Sequence, residues 1–221
     1  MFKNNIFKFI IIIKKMSGPR KTVIPLMLLG DSQVGKTSLT LYLTKNKFDD
    51  SILTTLGKES YMHQINLHGY DLKMKIWDTA GQERFKSMSV NVIKTVEGLI
   101  LVYSIANRQT FENLGTWLKQ LDEVTDMSKK PIVIVGNKCD LEGERQVSFE
   151  EGENYAKNLG YPFYETSAKN GTKVNEAFND IFEQLYKKLE EEIKGNKSAS
   201  KNKQISLDKN SKKDKKDKKF C

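Results

Sequence analysis

The octapeptide Gly30-Asp31-Ser32-Gln33-Val34-Gly35-Lys36-Thr37 carries the spacing Gly-x-x-x-x-Gly-Lys-Thr, with Ser38 next in line. Glycines at this spacing let a backbone curl until successive N–H groups point inward, where they meet phosphate oxygens. The positive end of a following helix adds to that field. Asp31, Ser32, Gln33, Val34, Gly35, Lys36, Thr37 and Ser38 are therefore candidate phosphate-binding residues. The Lys36 ammonium would reach the β- and γ-phosphates, which makes it a catalytic candidate too, and the Thr37 hydroxyl would bind Mg²⁺. The loop leaves open which nucleotide is bound, and for what.

Four further segments narrow this. Asp78-Thr79-Ala80-Gly81-Gln82-Glu83 follows an apolar run. A carboxylate at Asp78 suits Mg²⁺ held through water, the Gly81 N–H suits a γ-phosphate, and the Gln82 amide suits an attacking water. In Asn137-Lys138-Cys139-Asp140, an aspartate facing the guanine edge accepts from N1–H and N2–H₂ together; adenine lacks that donor pair. The Lys138 stem can cover the ring. In Thr166-Ser167-Ala168-Lys169 the Ala168 N–H is placed for guanine O6. The Thr55 hydroxyl could complete the Mg²⁺ shell while a γ-phosphate is present. Each piece alone could be a turn or a cap; the joint order, each at a strand end, points to one guanine-nucleotide site.

The elements that must hold these residues alternate. Val23–Gly30, Tyr61–Leu67, Leu72–Trp77, Leu99–Ile105, Ile132–Val135 and Phe163–Thr166 read as six strands. Pro25 implies an edge strand or a lost ladder bond. The turn His68-Gly69-Tyr70-Asp71 predicts a hairpin. Lys36–Thr44, Phe111–Val124, a helix opened by the Ser148/Glu151 capping box and ending at Leu159, and Val174–Ile193 read as helices. Phe48–Lys58 and Gly81–Ser89 read as loops. This order predicts an α/β fold: a mixed, mostly parallel six-stranded sheet with helices on both faces, binding nucleotide at the carboxyl ends of its strands.

Charge divides the chain. The total is +9, and residues 1–21 and 194–221 carry +6 and +8, so 22–193 carries −5. The basic character belongs to the ends, which argues against a nucleic-acid-binding face on the domain. Residues 1–21 read as an N-terminal extension outside the folded domain, flexible or not translated at all, with a membrane-surface anchor built on the apolar run Ile6–Ile13 as the alternative. Residues 22–193 read as the GTP-binding domain. Residues 194–221 are too polar to bury a core and read as a disordered Lys-rich tail. With only Cys139 and Cys221, there is no disulfide scaffold. Cys139 reads as a buried small side chain.

Over Thr22–Ile193 the sequence resembles the small GTPases of the Ras superfamily, on the segments GDSQVGKT, Thr55, WDTAGQE, NKCD and TSAK. KMKIWDTAGQERF and LVYSI most resemble the Rab branch. The resemblance implies the three-layer P-loop GTPase fold and a GTP/GDP switch with slow intrinsic hydrolysis. It implies Asn137, Lys138, Asp140, Ser167, Ala168 and Lys169 at guanine; Thr37, Thr55 and Asp78 at Mg²⁺; and Gln82 with Lys36 in catalysis. The implied partners are GTP/GDP, an exchange factor, an activating protein, effectors and an escort or dissociation-inhibitor-type protein, acting on a monomer with no nucleic acid. Prenylation of Cys221 together with the Lys212–Lys219 cluster would hold the chain to a membrane. It would cycle between the cytosol and the cytoplasmic face of an intracellular membrane in vesicle traffic. Ser104, Ser60 and Val92-Ile93 depart from the Rab pattern, so two of three effector-platform aromatics are missing and Trp77 remains. A GTP-binding module with very weak hydrolysis, a non-trafficking Ras-like GTPase and an ATP-dependent P-loop enzyme are the competing readings.

Overall fold

The computed structural model describes residues 23–49, 58–79, 90–188, 190 and 191. The chain divides into two compact units, 21–185 and a second made of residues 1–20 with 186–221. Of the second unit, residues 186–188 and 190–191 are described, and all are helical.

The first unit is built on a six-stranded sheet. Its strands are β1 (Val23–Leu29), β2 (Lys58–Leu67), β3 (Tyr70–Thr79), β4 (Gly98–Ser104), β5 (Ile132–Asn137) and β6 (Phe163–Thr166). Their spatial order is β2-β3-β1-β4-β5-β6. β2 runs antiparallel to β3, and every other pairing is parallel. The carboxyl ends of β1, β3, β4, β5 and β6 therefore share one rim.

Every residue of β4 and β5 is buried, as expected of strands covered on both faces. Met27, Leu29, Leu99, Leu101 and Tyr103 join one core cluster with Phe111, Leu114, Trp117 and Leu121. The alternate residues Leu26, Leu28, Ile100 and Val102, also buried, face the other side. The helices of this unit are α1 (Lys36–Lys45), α2 (Val90–Thr95), α3 (Arg108–Glu112), α4 (Leu114–Asp122) and α5 (Phe149–Leu159), followed by a helix over 174–185, α6. Ser148 caps α5 by accepting from the Glu151 N–H at 3.1 Å. Glu151 does not close the box with its own carboxylate there; it pairs with Arg108.

Three expectations are corrected. Pro25 does not mark an edge, because β1 is central. Its carbonyl accepts from Glu97, so its missing N–H points the same way, and the β1–β4 ladder begins one residue later at Leu26↔Gly98. The proline sits where a donor has no ladder partner to lose. The hairpin turn is two residues, not four: Leu67 pairs with Tyr70, and His68 and Gly69 both take positive φ, the signature of a tight hairpin that matches strand twist. The single helix over Phe111–Val124 is two, α3 and α4, meeting at Asn113. The short α2 was not expected at all.

Candidate functional site

β1 delivers the chain to the common rim, and the loop Gly30–Gly35 turns it into α1. Gly35 is the α1 N-cap at φ 96° and supplies no side-chain cap. The helix thus opens with N–H donors available at its positive end. A side chain at Gly35 would clash: a Cβ there would lie 2.3 Å from Asn137 Nδ2.

Lys36 lies almost wholly inside, at 4 % exposure. Its Nζ donates to the carbonyls of Gly30 at 2.9 Å and Asp31 at 2.7 Å, clamping the loop across its own mouth. Burial lowers its pKa to about 8, against the opposing pull of the Asp78 and Asp31 carboxylates. Asp78, next to the end of β3, is fully buried. Thr37 stands in the first turn of α1. The rim therefore gathers an ammonium, a carboxylate and a hydroxyl around a helix N-terminus.

Asn137 closes β5 and joins this region to the neighbouring loops. Its Nδ2 donates to the Val34 carbonyl at 2.8 Å. Its Oδ1 accepts from Thr166 Oγ1 at 3.1 Å and the Ala168 N–H at 3.3 Å. Beyond it, Ser167 Oγ donates to Asp140 Oδ1 at 2.5 Å and accepts from the N–H groups of Lys169 and Asn170. The Cys139 N–H donates to the Thr166 carbonyl. Lys138 bends the chain at φ 69°. Cys139 is only half-buried, with burial pushing its thiol pKa up.

Of the residues singled out in the sequence, Asp31–Ser38, Asp78, Asn137, Lys138, Asp140, Ser167, Ala168 and Lys169 gather at this rim. Thr55, Gly81, Gln82 and Cys221 lie outside the described residues. Two side chains do something the sequence did not announce. The Asn137 amide is turned inward to three protein partners. The Asp31 carboxylate is turned away from the loop's mouth, accepting from Asn113 Nδ2 at 2.6 Å and Trp117 Nε1 at 2.8 Å. Among the described residues no group of three or more His, Cys, Asp or Glu could hold a metal, and no helix is long and apolar enough to cross a membrane.

A phosphate-loop rim on a six-stranded, mostly parallel sheet defines a P-loop GTPase, and the comparisons agree. The Ras family model matches residues 25–187, and the chain belongs to that family. The Ras-related protein Rab-8B of Pongo abelii is 39 % identical over 174 residues, covering 79 % of this chain and 84 % of that protein. The GTP-binding protein ypt2 of Schizosaccharomyces pombe is 39 % identical over 165 residues, 75 % of this chain and 82 % of its own. The Ras-related protein SEC4 of Saccharomyces cerevisiae is 39 % identical over 176 residues, 80 % of this chain and 79 % of its own. Within the family this is a chain of the Rab branch.

Proposed function

We propose that the protein is a GTP/GDP switch whose phosphate cradle and base-recognition loops work as one unit. The observation that carries this reading is the Asn137 amide, which bonds Val34 in the phosphate loop on one side and Thr166 and Ala168 on the other. Asp140, buttressed by Ser167, is the guanine-selecting carboxylate, with Lys138 and Lys169 flanking the ring. Asp31–Ser38 hold the phosphates, and Lys36 neutralises charge on the β- and γ-phosphates as it develops.

The donors Thr37 and Asp78 are hard oxygens and suit Mg²⁺, with Asp78 acting through water. The ion would take its remaining oxygens from phosphates, water and Thr55. When bound, Mg²⁺ would offset the negative charge of the phosphates. Gly81 supplies an N–H to the γ-phosphate and Gln82 orients the attacking water. Loss of the γ-phosphate releases the contacts of Thr55 and Gly81, which resets the surface read by effectors. Cys221, prenylated, and the Lys-rich tail hold the active protein on the cytoplasmic face of an intracellular membrane. An exchange factor, an activating protein and an escort protein govern the cycle.

The test is single-turnover hydrolysis on full-length protein loaded with GTP. The wild type converts its GTP slowly, and Gln82→Leu stays GTP-bound. Hydrolysis in Gln82→Leu at the wild-type rate would refute the role given to Gln82.

A further inference from the structure

The Asp31 carboxylate is engaged at both oxygens by the protein itself. Both its oxygens are taken by α4, Oδ2 by Asn113 Nδ2 at 2.6 Å and Oδ1 by Trp117 Nε1 at 2.8 Å. The partners lie 82 and 86 residues away in sequence, so the bonds tie two separate parts of the fold together. The Asn113 amide is itself oriented, because its Oδ1 accepts from Gln109 Nε2 at 3.1 Å. That leaves Nδ2 as the face turned to Asp31. Trp117 is held in the core at 5 % exposure, so its N–H is a fixed donor. Asn113 sits at the junction of α3 and α4, the C-cap of one and the N-cap of the other. The helix break that the sequence pattern missed is where the amide reaches the loop.

The other side of Asp31 matters as much. Its backbone carbonyl accepts from Lys36 Nζ at 2.7 Å. One residue is therefore gripped twice, by the loop's own lysine through the main chain and by α4 through the side chain. Charge-assisted bonds of this length are the strong kind, and a loop held this way keeps its N–H groups aimed without reorganising when a ligand arrives.

We infer that Asp31, Asn113 and Trp117 form a positioning clamp that holds the phosphate loop in its nucleotide-binding shape and couples it to α4. The clamp acts through the loop backbone; its side chains, the Asp31 carboxylate included, touch neither the base nor the phosphates. The inference rests on the nucleotide-binding reading above.

GDP release from full-length protein, followed with a fluorescent GDP analogue well below the melting temperature, tests it. Trp117→Phe keeps an aromatic ring in the core but removes the indole N–H along with part of the bicyclic ring, so the melting temperature is read beside it; it should speed release by about tenfold, the size expected for one bond to a charged group. Asn113→Asp sets two carboxylates face to face and should speed release further. The pair Asp31→Asn with Asn113→Asp exchanges the partners: residue 31 then donates to residue 113 and still accepts from Trp117, while Gln109 keeps its acceptor. This double variant should return to within about threefold of wild type, since its hydrogen-bond count is restored. A preference for GTP over ATP should persist in all variants, because Asp140 is untouched. Release within twofold of wild type in Trp117→Phe and Asn113→Asp would overturn the clamp, as would a double variant at least as fast as the product of its single effects. A melting temperature that falls with release unchanged would make the bonds purely structural and likewise overturn it. Wild-type protein that binds no GDP would instead refute the nucleotide reading itself.

Discussion

Replacing Gly35 with alanine tests the most crowded point of the site. The residue stands at φ 96°, a conformation that costs a side-chain-bearing residue about 1–2 kcal/mol. The new Cβ would also fall 2.3 Å from Asn137 Nδ2, too close for either to stay. Asn137 is nearly fully buried and holds the Val34 carbonyl. Pushing it aside breaks that bond and leaves buried polar groups unpaired, at about 1–3 kcal/mol. The combined loss is about 3 kcal/mol, which for a domain of this size lowers the melting temperature by about 6–12 °C. GDP affinity should fall at least tenfold, about 1.4 kcal/mol, because the displaced amide also holds Ala168. Gly69→Ala is the control. It too has positive φ, but a Cβ there meets nothing within 4 Å, so its cost stops at the backbone share of about 1–2 kcal/mol and nucleotide affinity stays unchanged. Thermal melts and GDP titrations of the three full-length proteins decide the matter. If Gly35→Ala melts alongside Gly69→Ala and binds GDP like wild type, the reasoning about the Asn137 bridge is wrong.

Tyr103 packs its ring against Phe111 and Phe163, yet its hydroxyl has no hydrogen-bond partner among the described residues. Burial drives its pKa far up. Tyr103→Phe should therefore be neutral or stabilising by up to about 1 kcal/mol in urea unfolding. Arg145 grips Glu165 with both terminal guanidinium nitrogens, at 2.6 and 2.9 Å; Arg145→Met strands that nearly buried carboxylate and should cost about 3 kcal/mol. Hydrogen bonds from Arg145 and Arg108 hold the Glu142 and Glu151 carboxyls below their usual pKa of 4.5. Their contribution is complete above that pH and drains as pH falls below it. The wild type should thus lose stability more steeply below pH 4.5 than an Arg108→Met, Arg145→Met double variant, read from unfolding midpoints across the acid range.

What the sequence made legible follows from the range of each interaction. The phosphate loop depends on near neighbours, so the spacing Gly30 to Thr37 is readable without the fold, as are the apolar runs that became β4 and β5. The double positive φ at His68 and Gly69 is also local, but two-residue and four-residue turns share the same composition. The break at Asn113 was hidden because Phe111, Leu114, Leu118 and Leu121 keep one continuous apolar stripe across it. The partner of Asp31 was hidden for a different reason. A carboxylate beside a phosphate loop reads as part of that loop, and nothing local reveals that its donors arrive from Asn113 and Trp117. Asn137 is the same case, a residue of the segment proposed to recognise the base whose amide also serves the loop fold.

In the proposed switch, one rim binds guanine nucleotide through Asp140 and the Gly30–Thr37 loop together. Competition against a fluorescent GDP analogue bound to the full-length protein, with Mg²⁺ present, tests it most directly. GDP and GTP should displace the analogue at stoichiometric levels, ATP should fail even in large excess, and Asp140→Ala should lose the discrimination. Displacement by ATP as effective as by GTP, or an Asp140→Ala protein that still discriminates, would contradict the account.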